Sequence, residues 1–119
     1  MGHEGTEIST SGLSVRTERE DEIAVVRCGG RLTTENAAAL KAHVKGMIPH
    51  EKRILIDLAE LTRMDSVGLG TLVAIYVSAK NSNCELILAN MSKPIRDLLG
   101  LTHLLSVFEA CGRYGTRMG

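Results

Sequence analysis

The chain has 119 residues, 44% of them apolar, with 14 basic side chains balanced by 14 acidic ones. That is the size of one globular domain, with enough apolar content for a core. Zero net charge and 3% aromatic residues argue against a nucleic-acid binder, which needs an excess of cations for the phosphates and rings for stacking. No run approaches the roughly 18 apolar residues of a membrane helix. The start, Met1 to Glu7, has no basic stretch followed by an apolar one, so no secretory signal is expected and the location expected is cytoplasmic. Cys28, Cys84 and Cys111 are far apart and form no CxxC pair, which suits reduced thiols.

Residues 1–12 are small and polar and are expected to form a disordered tail. Leu13 to Thr17 alternates apolar and polar residues, the pattern of a half-buried strand. Glu18 to Glu22 reads as a charged turn and Ile23 to Cys28 as a second strand, antiparallel to the first and ended by Gly29-Gly30. Thr33 or Thr34 is a candidate cap for a helix from about Glu35 to Met47. Ala37, Leu40, Val44 and Met47 give that helix an apolar face, and Pro49 stops it.

Arg53 to Leu58 is an apolar run expected to be a strand buried on both faces. A polar loop over 59–66 then leads to an apolar helix over 67–80. Asp65 and Ser66 sit at this joint, where a helix start wants a side-chain oxygen over its unpaired N–H groups. Gly68 and Gly70 fall in the first turn, each costing about 1 kcal/mol relative to Ala, so another backbone or a partner is expected to approach closely there. Glu85 to Ala89 reads as a buried strand. Ser92 is expected to cap a third helix, with Pro94 in its first turn, Ile95, Leu98 and Leu99 inward, and Gly100 at its end. Val107 to Glu109 is a candidate last strand, and residues 111–119 a loose tail. Strands alternating with helices after an opening hairpin imply an α/β domain over 13–110, with a mixed β-sheet of about four to five strands packed by α-helices.

Several chemistries fail on spacing. Met64 stands where a Gly-x-Ser-x-Gly nucleophile elbow around Ser66 needs its first glycine, and His43, His50 and His103 supply no obvious base. The third glycine of a dinucleotide loop starting at Gly68 falls on Val73, inside the helix. Asp57, Glu60 and Asp65 cluster around a strand end and could hold magnesium, though solvated loop carboxylates read the same way. No Cys/His pair has ligand spacing. Asp57 with Lys93-Pro94 resembles a phosphoacceptor receiver domain, but Cys28-Gly29-Gly30 supplies no acidic pair. No cofactor and no enzymatic activity are expected.

The stretch Ile54-Leu-Ile-Asp-Leu-Ala-Glu-Leu-Thr-Arg-Met-Asp-Ser-Val-Gly-Leu-Gly70 resembles the signature of STAS domains, and within them the bacterial anti-sigma factor antagonists. The resemblance extends over about residues 13–110, through Gly30-Arg-Leu-Thr33 and the Ser92-Lys-Pro-Ile-Arg-Asp-Leu-Leu segment. It implies a protein switch that binds an anti-sigma factor serine kinase with an ATP-binding fold, freeing a sigma factor. It further implies that the kinase phosphorylates Ser66, which breaks the complex, and that a PP2C-type phosphatase reverses the step. Asp65, Gly68 and Gly70 would support this loop, and Thr33, Thr34, Thr62, Met64, Val67 and Leu69 would form the partner surface. Family members often carry acids in the turn that here reads Gly30-Arg31-Leu32-Thr33, which implies a different charge pattern on the partner. The wider family also offers a stand-alone subunit of a lipid-transport ATPase or a scaffold in a stress-signalling assembly.

Overall fold

The computed structural model describes residues 6–101. The expected tails at 1–5 and 111–119, the strand at Val107 to Glu109 and the inward side chains of Leu98 and Leu99 lie outside what is described. Among the described residues, five strands form one sheet in chain order: β1 (Thr6–Thr10), β2 (Leu13–Glu20), β3 (Ile23–Leu32), β4 (Arg53–Met64) and β5 (Glu85–Ala89). Three helices accompany them, α1 (Ala37–Met47), α2 (Ser66–Asn81) and α3 (Lys93–Leu101). β1, β2 and β3 pair antiparallel, whereas β3, β4 and β5 pair parallel, so the sheet is mixed as expected.

Part of the expected N-terminal tail is ordered. Thr6–Thr10 pairs with Leu13–Thr17, turning through Ser11 and Gly12, both at positive φ. Only Ile8 is apolar in β1, which hides the strand from any hydrophobic pattern. Threonine and isoleucine favour extended backbone, the β2 edge supplies hydrogen-bonding partners, and Ile8 packs on the core. The charged turn is also shorter than expected, because β2 runs to Glu20 and leaves Asp21 and Glu22 to reverse the chain.

β3 passes through Gly29-Gly30 and ends at Leu32, and β4 continues to Met64 across what the sequence presents as a loop. Two register shifts make this possible. Arg27 lies beside Asp57 but Gly29 beside Glu60, and Gly30 lies beside Leu61 but Arg31 beside Arg63. Each shift adds one residue to β4, a bulge that changes which face the next side chain takes. Ile54, Ile56 and Leu58 point into the core at period two, and Leu61 then follows at a spacing of three, still buried.

The core lies between the sheet and the helices. Val15, Val26, Cys28, Ile54, Ile56 and Leu88 meet Leu40 and Val44 of α1, Leu72 and Ile75 of α2, and Ile95 of α3. Burying each such aliphatic side chain contributes about 1.5–3 kcal/mol. Arg27 crosses the other face and pairs with Glu18, Glu20 and Asp57. β4 is therefore buried on one face only, with Leu55 and Asp57 partly exposed on the second.

α1 starts later than the threonines suggest, at Asn36, which is only 2% exposed. Its Oδ1 accepts from the Thr33 N–H, while its Nδ2 donates to the carbonyls of Ser11 and Arg31. One buried amide thus joins the β1–β2 turn, the end of β3 and the approach to α1. Replacing it leaves three backbone groups to find water, each costing about 1–3 kcal/mol if buried unsatisfied. Asn36→Ala is expected to lower the free energy of denaturant unfolding by about 2 kcal/mol or more, whereas truncating exposed Lys45 should change it by less than about 0.5 kcal/mol.

Candidate functional site

β3, β4 and α2 converge at Asp65. The Asp65 N–H donates to the Leu32 carbonyl at 3.3 Å, which stitches the end of β4 to the end of β3. Its backbone is extended (φ −101°, ψ −176°), and the side chain turns over the first turn of α2, where Oδ1 accepts from the Gly68 N–H at 2.9 Å. Oδ2 accepts from the Thr34 N–H at 3.0 Å and the Thr34 hydroxyl at 3.2 Å. The cap of α2 is thus Asp65, and Ser66 is the first helical residue. Hydrogen bonds from Gly68 first, then from Thr34 and Val67, hold the Asp65 carboxyl below the usual carboxylate range.

Ser66 is exposed, and its hydroxyl makes no hydrogen bond with a described residue. It sits at the positive end of the helix dipole, where Asp65 already satisfies the Gly68 N–H. His43, the one described histidine that burial shifts downward, is committed elsewhere, its Nε2 lying 2.7 Å from the Thr17 hydroxyl. The arrangement offers a hydroxyl for modification by an external agent, with a fixed carboxylate next to it.

The two glycines divide. A Cβ on Gly68 would fall 2.3 Å from the Leu32 carbonyl oxygen, so the close approach expected there is made by the chain's own β3. A Cβ on Gly70 would meet nothing within 4 Å, so nothing inside the described chain requires glycine there.

The other expected partner residues scatter. Thr34 is exposed and bound to Asp65, and Thr33 is half-buried in the turn that leads to α1. The exposed Thr62 is the extra residue of the second bulge, and its hydroxyl donates to the Gly30 carbonyl at 3.0 Å. Met64 packs partly on the core, and Val67 is 45% exposed beside Ser66. Leu69 does not belong to the surface. It is 6% exposed and joins the core, because one hundred degrees per residue turns it inward from Val67.

Asp57 lies within β4, where its Oδ1 accepts from the Ala59 N–H and Asn90 Nδ2 and its Oδ2 faces Arg27. Asp57 and Asp65 therefore serve separate networks, and no group of three or more potential metal ligands occurs among the described residues. Asn36 is the functional-loop residue missed in the sequence; its one signal is an asparagine just ahead of the periodic apolar run from Ala37.

Comparison with known proteins bears on this geometry. The family model described as STAS domain matches residues 14–116. An anti-sigma-B factor antagonist of Listeria monocytogenes is 29% identical over 93 residues, covering 77% of this chain and 82% of that protein. The unphosphorylated anti-sigma factor antagonist SpoIIAA superposes with a TM-score of 0.67 at 22% identity, covering 77% of this chain and 83% of that one. The phosphorylated form of SpoIIAA from Bacillus gives 0.65 at 22% identity, covering 79% and 86%. At such identity these two structures establish the fold.

Two outcomes test the loop. Gly68→Ala should destabilise by about 1–3 kcal/mol through overpacking against Leu32, while Gly70→Ala should stabilise by up to about 1 kcal/mol, both read by denaturant unfolding. Asp65 gives a pH dependence. Since its folded-state pKa lies below the unfolded value, its stabilisation is complete above that value and is lost as pH falls through the folded one. The melting temperature of wild type should exceed that of Asp65→Ala at neutral pH, and the gap should close below about pH 4.

Proposed function

The chain belongs to the STAS domain family, and on that premise we propose that it is an anti-sigma factor antagonist switched by phosphorylation of Ser66. The observation that carries this reading is the exposed, uncommitted Ser66 hydroxyl at the first position of α2, next to a carboxylate already held as the helix cap. The unmodified protein binds an anti-sigma factor and so releases the sigma factor. The anti-sigma factor is in addition a serine kinase, and a PP2C-type phosphatase restores the hydroxyl. The chain is the substrate of these steps and performs no catalysis of its own.

Phosphoryl transfer forms a bond from Ser66 Oγ to the γ-phosphorus of ATP, breaks the bond to ADP, and passes the hydroxyl proton to a base of the kinase. The phosphate adds about −1.5 to −2 charges at neutral pH. At the start of α2 it meets the positive end of the helix dipole, although Asp65 already holds the Gly68 N–H, and its exposed position lets water solvate it, so the fold tolerates it. On the surface it stands beside the ionised Asp65 carboxylate, and a partner face shaped for a neutral hydroxyl must now accommodate concentrated negative charge. Like charges set together in an interface cost several kcal/mol, and each 1.4 kcal/mol is about tenfold in affinity. Val67 and the bare backbone at Gly70 supply the adjoining apolar contact and allow a partner to come close.

The test is binding of the cognate anti-sigma kinase to wild type, Ser66→Ala and Ser66→Asp, with phosphoserine mapping after addition of ATP. Phosphate on Ser66, affinity kept by Ser66→Ala and lost at least about tenfold by Ser66→Asp is the expected result. Equal binding by all three with no phosphate would leave Ser66 a structural helix residue and point to a transport or scaffold subunit instead.

A further inference from the structure

The second bulge of β4 sets Arg31 beside Arg63. Without it, the ladder after Gly30 and Leu61 would place Arg31 beside Thr62 and Arg63 beside Leu32. Thr62 is the extra residue instead, pinned by its hydroxyl to the Gly30 carbonyl. Register partners on adjacent strands take the same face. Leu32 and Met64, the next pair along, turn to the core, so both arginines project from the opposite face of the sheet.

Both are exposed, and neither makes an ion pair with a described residue. The other described arginines all have partners: Arg16, Arg19, Arg27 and Arg53 are ion-paired, and Arg96 is in contact as well. Like charges side by side destabilise a sheet, and here a backbone irregularity brings them together. The nearest carboxylates along the chain are Asp65, which is committed to Gly68 and Thr34, Glu60, which lines the adjoining cleft with Gly29 and Gly30, and Glu35 in the turn before α1. None pairs with the two arginines. The Arg31 guanidinium lies over Gly12, on the β2 side of β3, so the two exposed forks are neighbours along the face, each suited to binding a carboxylate in bidentate fashion. The pair also lies at the switch end of the molecule. Arg63 is three residues before Ser66, and Arg31 precedes the Leu32 carbonyl that receives the Asp65 N–H.

We propose that Arg31 and Arg63 form a docking point for an acidic segment on the surface of the partner protein. This rests on the antagonist reading for the partner's identity, though the arginine geometry stands apart from it. Zero net charge and the scarcity of aromatic residues favour a protein over a nucleic acid. Contact with such a segment would orient the partner over the start of α2 and make association sensitive to salt.

The experiment uses the full chain, the double variant Arg31→Glu/Arg63→Glu, and Arg53→Glu as a control at the opposite end of β4. Thermal melts first establish that the double variant folds, as expected for two exposed, unpaired side chains. A hexaglutamate peptide is titrated and followed by the arginine side-chain NMR resonances, in parallel with phosphatidylserine-containing vesicles. The peptide should shift the Arg31 and Arg63 signals of wild type and of Arg53→Glu. Unmoved signals, or a preference for the vesicles at this site, overturn the proposal. Against the anti-sigma kinase, the double variant should lose at least about tenfold in affinity and show a weaker salt dependence. If the kinase binds the double variant as tightly as wild type but still distinguishes Ser66→Asp, the antagonist reading stands and the acidic-partner proposal falls, whatever the peptide does. If the kinase does not bind wild type, the antagonist reading falls and the peptide titration alone decides the arginine site.

Discussion

The Leu32 carbonyl presses so closely on the first turn of α2 that only glycine fits at position 68, and most of the site follows from that contact. With the end of β3 lodged there, the Asp65 N–H finds its partner on Leu32, and the carboxylate bridges Gly68 and Thr34. The two loops that flank the start of the helix are thereby tied to each other and to the sheet. Ser66, the next residue, inherits a fixed position without spending its own hydroxyl on the fold. A side chain free of structural duty can change its charge without unfolding the protein, which is what a surface switch requires.

The same economy separates two roles that one serine could have carried. A helix N-terminus needs a side-chain oxygen, and a phosphoacceptor needs an uncommitted one. Asp65 satisfies the first need and leaves the Ser66 hydroxyl uncommitted, as the proposed phosphoacceptor role requires. It also brings a negative charge next to Ser66, so the proposed phosphorylation would deepen an existing field in place of creating one. Thr34 reinforces the arrangement from α1's side of the site, and Asn36 fixes the turn that carries Thr34.

The strand-to-helix joint was legible because it rests on local rules: a branched apolar run, Asp-Ser at a helix start, glycines in the first turn. The parts that were not legible depend on partners distant in sequence. β4 looked like a strand followed by a loop because Leu58, Leu61 and Met64 recur every third residue, a spacing that no regular strand produces. Two bulges absorb the extra residues, and only the neighbouring β3 makes them possible. β1 escaped notice because a mostly polar stretch becomes a strand by pairing with β2. The inward position of Leu69 is hidden for another reason. α2 is apolar nearly all round, with Val67 and Val77 exposed and Leu69, Leu72 and Ile75 buried, so its composition does not say which side faces in.

The strands lie in the sheet in the order in which they occur in the chain, and this bears on how the protein is made. Each strand, as it leaves the ribosome, finds its neighbour already at the edge of the growing sheet. The antiparallel β1, β2 and β3 require only tight reversals, whereas β4 must wait for α1 to cross over. The two parallel pairings, such as Ala24 with Ile54 and Arg53 with Glu85, each close across a whole intervening helix, and such non-local pairing is slow to form. Domains fold from the N-terminus during synthesis, and here the Asp65 clamp can close only after β4 has docked on β3. The Ser66 hydroxyl, on the proposed reading the switch, is therefore among the last features to assume its folded position, so a nascent chain would not be a ready target for modification before its sheet is built.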